Sequence, residues 1–427
     1  MNSIENKVLG FLDSSRGYRE SPEEVLQILA FLALIKKNQA EKYFDLFKAA
    51  PNQQKAIFRT LTEEIDKHEF RDISETKTLD FFPDELLTKA IYLINEIPDS
   101  DYSLFARSIR NALQDLGNYK TDNISTCLLA TLFSELVGEV SAESIIYDGT
   151  AGYANIVSTI QGARLQLEEV NHSVWQLSKI LLLLEDREID FKLTNSLLNS
   201  GFKQTNKKAD IALMTPPMGL KLSPEERSVL VNEEYIVVKA GKTLPTSAAD
   251  VLWVQQALAN INSKGRVMIL LPQGWLFRGG YDAKVRDYLL NNDWVESIIS
   301  LPAGILKQTA LSPAIVILNK NKAATGEIKF IDVSGLGKRE RRSITISDDN
   351  LQLFSELVQG KHPEHVLYKS VLLPDIIKNE GVLNVSHYIK QESTWVAPDV
   401  EQEMIKLGNC MTDFDVAQKK LTKLLSK

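Results

Sequence analysis

A chain of 427 residues with 44% apolar and 25% charged residues has room for two or three modules and at least one large core, which excludes a disordered or fibrous protein. Its net charge of −7 excludes coating of nucleic acid through bulk electrostatics, so any DNA contact needs a local basic surface or a partner. Two cysteines far apart in sequence, Cys127 and Cys410, exclude a disulfide framework, and no apolar run is long enough to cross a bilayer; a reducing, cytoplasmic setting is expected.

From about residue 3 to residue 118 the apolar residues recur near a 3.6 period, as in Val25-Leu26, Ile28-Leu29, Leu32 and Leu34-Ile35, and predict an N-terminal helical domain over 1–118. Ser21-Pro22-Glu23-Glu24 reads as a helix start, with serine as the cap and proline at the first helical position. After Asn118-Tyr119-Lys120-Thr121-Asp122 the texture changes to short β-rich runs separated by amphipathic helices. Strands are expected over 144–147, 163–170, 211–214, 265–271, 295–301 and 314–318. This alternation predicts an α/β fold, a doubly wound Rossmann-like parallel sheet over 119–330. The last three strands follow in quick succession, so one of them is expected to run antiparallel at an edge.

Residues 331–427 form a polar extension with a small helical tail. The basic run Lys338-Arg339-Glu340-Arg341-Arg342 reads either as a solvated linker or as a phosphate contact. Near the end, Phe414, Ala417, Leu421 and Leu424-Leu425 share one helical stripe, to be packed on the same domain or on a partner. The five histidines show no metal spacing, and His362-Pro-Glu-His365 reads as a turn.

Two strand exits carry the chemistry. Asp148-Gly149-Thr150-Ala151-Gly152 follows one strand and precedes a helix, the place where α/β sheets hold nucleotide-like ligands; Glu169 ends the next strand, where a carboxylate can grip ribose hydroxyls. An ordinary βα turn with a solvent-facing acid fits these residues equally well. Thr215-Pro216-Pro217-Met218 is more specific, because two prolines directly after a strand remove amide donors, fix the backbone and leave carbonyl oxygens outward. Such acceptors suit a reaction at an exocyclic amine, whose two protons must be held as the nitrogen pyramidalises. A rigid strand exit without chemistry is the alternative.

These two exits resemble those of the N6-adenine DNA methyltransferases, and most closely of the modification subunits of type I restriction-modification systems. The block Gly265-Arg-Val-Met-Ile-Leu-Leu-Pro-Gln-Gly-Trp-Leu-Phe-Arg-Gly-Gly280, with Arg286, Leu289-Leu290, Ile298 to Pro302 and Ser312 to Asn319, carries most of the resemblance. Ser247 to Asp250, Trp253, Gln255-Gln256, Leu383-Asn384 and Tyr388 add to it. The resemblance implies a methyl transfer from S-adenosylmethionine to N6 of adenine in DNA, with sequence specificity supplied by a separate subunit in a hetero-oligomer.

Carried over by position, the resemblance makes Thr121 a contact to the amino-acid end of the cofactor, with Asp122 where proline is usual. It makes Asp148, Gly149, Thr150, Ala151 and Gly152 the cofactor loop, with Gly149 in place of proline and Ala154 in place of the last glycine, where its methyl would crowd the methionine moiety. Glu169-Val-Asn171 matches the ribose segment, and Asn195 stands where an aspartate contacts the cofactor's adenine. Thr215-Pro216-Pro217-Met218 matches Asn-Pro-Pro-Phe with both prolines kept, so Thr215 and the Pro216 carbonyl become the acceptors and Met218 the cover of a flipped base. The changes at 149, 154, 215 and 218 also admit a second reading, a methyltransferase-like scaffold that binds DNA, cofactor or partners without transfer.

Overall fold

The computed structural model of the chain describes residues 3–18, 20–68, 82–115, 126–306, 311–340, 344–390 and 399–425. Thr121 and Asp122 of the expected cofactor entry, and Arg341 and Arg342 of the basic run, lie outside the described residues. One compact unit spans Met1–Ile389 and a second spans Lys390–Lys427.

The first unit begins with helices α1 (Ser3–Ser15), α2 (Pro22–Asn38), α3 (Ala40–Lys48), α4 (Pro51–His68), α5 (Asp84–Asn95) and α6 (Tyr102–Asp115). A reciprocal cap starts α2: Glu24 N donates to Ser21 Oγ (3.3 Å) and Ser21 N donates to Glu24 Oε2 (2.7 Å), with Pro22 at the first turn. Val25, Leu26 and every residue from Ile28 to Ile35 are buried, so α2 is the central rod of this bundle, enclosed on all sides.

The sheet region follows as α7 (Cys127–Val137), β1 (Ile145–Asp148), α8 (Asn155–Ser158), β2 (Arg164–Glu169), α9 (His172–Leu184), β3 (Ile189–Leu193), α10 (Ser196–Asn199) and β4 (Ala209–Met214). It continues through α11 (Pro224–Leu230), α12 (Ala249–Asn260), β5 (Ile261–Pro272), α13 (Tyr281–Asn291), β6 (Val295–Ser300), β7 (Pro313–Asn319) and β8 (Glu327–Asp332). A small hairpin of β9 (Lys338–Arg339) and β10 (Ile344–Thr345) leads to α14 (Asp348–Val358), β11 (Tyr368–Leu372), α15 (Leu373–Lys378) and α16 (Val385–Tyr388). Lys338, Arg339 and Glu340 are exposed on that hairpin.

Nine strands form one sheet in the order β11-β8-β6-β7-β5-β4-β1-β2-β3. The pairs from β3 to β5 are parallel, β7 is antiparallel to both β5 and β6, and β11 is antiparallel to β8. The expected reversal among the last three strands is therefore present in β7, but inside the sheet; a fourth strand, β8, covers β6, and the edge is taken by β11. Both faces are covered, as a parallel sheet requires. Along β4 and β5, Ala212, Met214, Val267, Ile269 and Leu271 join an apolar cluster with α12, while Leu213, Met268 and Leu270 join another with α7 and α8.

Helix α9 ties the bundle to the sheet. Its Trp175 and Leu182 belong to the sheet cluster, and its Val174, Leu177, Ile180, Leu181 and Leu184 belong to the bundle core. A buried ion pair reinforces this joint: Arg110 of α6 reaches the two oxygens of Glu185 (2.5 and 3.1 Å) and donates from Nε to the Tyr153 carbonyl (3.1 Å). In the second unit α17 (Val400–Leu425) is a single helix whose Met404, Leu407, Met411, Phe414, Leu421 and Leu424 are exposed. Among the described residues no helix is long and apolar enough to cross a membrane.

Removing one partner of a buried pair strands the other charge. Arg110→Ala is expected to lower the unfolding free energy by about 3–5 kcal/mol, and Arg110→Met combined with Glu185→Leu to lose much less. Urea denaturation of the two variants separates a charge effect from simple loss of packing, which would affect both equally.

Candidate functional site

Strand order sets the order of the chemistry. Because β4, β1, β2 and β3 are parallel neighbours, their C-terminal exits line up along one edge of the sheet. Thr215 to Met218 leave β4, Gly149 to Gly152 leave β1, Glu169 ends β2, and Asn195 follows β3. The chain reverses its winding at β1, which is where open α/β sheets leave a crevice for a ligand.

A cavity of about 290 Å³ runs along these exits. It brings together Gly149, Thr150, Ala151, Glu169, Asn195, Thr215 and Pro217 from the residues expected to act. Asp148, Gly152 and Pro216 are neighbours of that lining, and Asp148 and Pro216 are buried. Met218 is half-buried against the α7–α8 cluster and does not line the cavity. Ala154 does not line it either: its methyl joins the same cluster, away from the space it was expected to crowd. Its backbone is left-handed (φ 58°, ψ 29°), the conformation for which glycine is the usual residue.

The remaining walls were not read from the sequence as site residues. They are the apolar Val170, Leu197, Leu198, Leu220, Leu222, Leu230 and Trp253, together with Thr194, Ser196 and Glu226. Most lie on α10, α11 and α12, and only the fold brings those helices to the cavity. The two motif carboxylates are held by local bonds. Asp148 Oδ1 accepts from Thr150 N (2.8 Å) and Thr150 Oγ1 (3.2 Å). Glu169 accepts from Gly152 N (3.0 Å) on Oε2 and from Asn171 N (2.7 Å) on Oε1, which holds the carboxylate at the cavity wall.

The sequence profile of the N-6 DNA Methylase family matches residues 129–395. The chain belongs to that family. It is similar to the type I restriction enzyme MpnII methylase subunit of Mycoplasma pneumoniae, 24% identical over 372 residues that make up 83% of this chain and 66% of that protein. It is also similar to the MjaVIII methylase subunit of Methanocaldococcus jannaschii, 30% identical over 225 residues, 50% of this chain and 37% of that one. The chain therefore spans about two thirds or less of the curated relatives it matches. Among solved structures, the type I methyltransferase subunit from Streptococcus thermophilus superposes with a TM-score of 0.71 at 15% identity, covering 91% of this chain and 99% of that one. A modification subunit of a type I restriction enzyme from Vibrio vulnificus gives 0.64 at 13% identity, over 87% and 93%.

In this member of the family, the glycine at 149 has a structural cause. A Cβ at that position would lie 2.5 Å from the Tyr147 hydroxyl. That hydroxyl cannot step aside, because it donates to Glu168 and accepts from Gln256 Nε2, and all three side chains are fully buried. Glu168 is itself held by Ser200 Oγ (3.1 Å) and Gly201 N (2.6 Å). The β1 loop thus rests on a buried polar chain that leaves no room for the Cβ of a proline or an alanine. Gly149→Ala is expected to destabilise the protein by about 1–3 kcal/mol, and Tyr147→Phe to recover part of that loss. A double-mutant cycle by chemical denaturation with no coupling between the two would contradict the contact.

Burial also governs the acids here. It pushes the Asp148 carboxyl up to about 7 against the pull of its two Thr150 hydrogen bonds, and it raises Glu168 and Glu169 against theirs. A raised carboxyl favours the native state while protonated, so this contribution is intact below the unfolded range near 4 and is lost as pH rises through about 7. Asp148→Asn, which keeps the acceptor and removes the charge, is expected to stabilise the protein at pH 8 and to gain progressively less towards pH 5. Thermal or urea melts across that range check this, and a gain that grows on acidification would contradict it.

Proposed function

We propose that the chain is a modification subunit that transfers the methyl group of S-adenosylmethionine to N6 of adenine in DNA, within a type I restriction-modification type of assembly. The observation that carries this reading is the single cavity into which both the β1 loop and the Thr215-Pro216-Pro217 exit open. A methyl donor and an amine acceptor must meet in line, and a cavity shared by the two exits provides the approach.

The residues fit a nucleoside-type cofactor. Glu169 offers oriented acceptors for two ribose hydroxyls, the apolar walls cover a base, and Thr150 with the backbone of Gly149 to Gly152 faces the more polar end. Thr121, by its position in the motif, belongs to that polar end. Asp148 acts through Thr150 by holding the loop. When bound, S-adenosylmethionine supplies the electrophilic methyl of its sulfonium. The Thr215 hydroxyl and the Pro216 carbonyl accept hydrogen bonds from the adenine amine and hold its lone pair towards the methyl donor, and Pro217 fixes that turn; Met218, packed on the α7–α8 cluster, stands outside the cavity. Leu220, Leu222, Leu230 and Trp253 keep bulk water from the reacting atoms.

Recognition of a DNA sequence is assigned to a separate subunit, in a cytoplasmic hetero-oligomer. The acidic net charge and the exposed apolar helix α17 support dependence on a partner.

Two measurements test the reading. Calorimetric titration with S-adenosylhomocysteine is expected to give micromolar binding that Glu169→Ala abolishes. Transfer of labelled methyl groups to unmethylated genomic DNA, by the chain purified with its partner subunit, is expected to fall by about 10²–10³ in Thr215→Val without change in S-adenosylhomocysteine affinity. An unaltered rate would remove Thr215 from the reaction, and absence of binding would remove the cofactor.

A further inference from the structure

Strand direction decides from which edge of the sheet each loop emerges. β5 is parallel to β4, β7 is antiparallel to both β5 and β6, and β8 is parallel to β6, so β4, β5, β6 and β8 all point the same way. The segments after β6 and β8 therefore leave from the same edge as Thr215, on its side away from β1, β2 and β3. Among the described residues, none from the exits of β5, β6 or β8 lines the cavity, so this half of the edge stands outside the place of the cofactor.

The basic hairpin β9–β10 follows the exit of β8 and sits on that half. Its base is pinned to the core. Val333 N donates to the Ser300 carbonyl (3.0 Å), which ties the exit of β8 to that of β6, and Asn350 Nδ2 of α14 donates to the Leu336 carbonyl (2.9 Å). A Cβ at Gly337 would lie 2.6 Å from Ile344 Cγ2 and 3.0 Å from Pro302 Cγ, so the backbone is seated directly against the loop after β6. Lys338 and Arg339 are exposed beyond this seat, and neither has an ion-pair partner among the described residues. Of the acids close by in sequence, Glu340 accepts from Thr345 Oγ1 (3.5 Å) across the hairpin, and Asp348 and Asp349 occupy the first turn of α14, where the helix dipole favours them. Two unpaired cations on a pinned support are unlike a solvated linker.

We infer that duplex DNA lies across this half of the edge, with phosphates of its backbone held by Lys338 and Arg339 while the target base enters at Thr215. Three to four strand spacings separate β4 from β6 and β8, on the order of 14–19 Å, or about half a turn of duplex. With the DNA reading above as its premise, this surface supplies the local positive charge that a chain of net charge −7 needs. Phosphate contacts at that distance set the position of the duplex without reading its sequence, which leaves recognition to another subunit.

The test is the salt dependence of binding to a random-sequence duplex, followed by fluorescence anisotropy with the chain purified with its partner subunit. In Lys338→Gln combined with Arg339→Gln, the slope of log K against log salt is expected to become shallower by about two, with S-adenosylhomocysteine affinity unchanged. Lys207→Gln combined with Lys264→Gln removes the same charge from exposed positions at the opposite edge, where β4 and β5 enter the sheet, and is expected to keep the native slope. A native slope in the hairpin variant would take the hairpin out of the interface. An equal change in both variants would reduce the effect to net charge, and a loss of S-adenosylhomocysteine binding in the hairpin variant would make its role structural; each overturns the proposal. If the native complex neither binds this duplex nor methylates genomic DNA, the DNA reading itself fails.

Discussion

Placing β1 between β2 and β4, all three parallel, is the constraint on which the site depends. Parallel pairing sends every strand exit to the same edge, and the reversal of winding at β1 parts the helices that follow, so that loops from four strands converge without blocking one another. A glycine loop, a carboxylate, an amide and a proline-fixed turn are spread along the chain from Gly149 to Pro217, and only this pairing makes them neighbours. Burial on both faces then makes the register expensive to alter, because a slip of one residue would exchange the contents of the two apolar clusters.

Under that edge lies a second layer of control. The Tyr147, Glu168 and Gln256 side chains form a buried polar chain directly beneath the β1 loop, and the loop's conformation is matched to it. This alters how the departures from the family pattern read. Gly149 is required by the hydroxyl beneath it, and the Ala154 methyl is accommodated by the core on the far side of the loop. Neither change intrudes on the cavity. Thr215 is different in kind, since it lines the cavity with a side chain and trades an amide for a hydroxyl, so any chemical consequence of the altered motifs concentrates there.

Strands β1, β2 and β4 to β7 were legible in the sequence as apolar runs between turn residues, whereas β3, β8 and β11, which mix charged with apolar residues, were not; Ser21-Pro22-Glu23-Glu24 announced its helix through capping chemistry that is wholly local. The interior position of β7 was not legible: strand order is decided by which neighbours cover both faces, and Pro313 to Asn319 reads the same at an edge as in the middle. Helix α2 showed a period, yet it is enclosed on all sides, because the period reports one face and the bundle supplies the rest. At the site, Glu169 and the Thr215 turn could be found from their place after strands. Trp253 and Leu230 could not, since an apolar residue on a helix looks like core until the cavity it lines is known. The Tyr147 hydroxyl that occupies the place of a Cβ at Gly149 was equally hidden, because a tyrosine in a strand gives no sign of where its oxygen ends.

The most direct measurement is a crystal structure of the protein with S-adenosylhomocysteine. The account expects the ligand to lie across the exits of β1, β2 and β3, with its ribose on Glu169, its base between Val170 and Leu198 beside Asn195, and its sulfur turned towards Thr215. A ligand bound elsewhere, for instance in the polar cleft between α6 and α7 lined by Arg107 and Asn111, would contradict the assignment of the β1 crevice as the place where the chemistry is assembled.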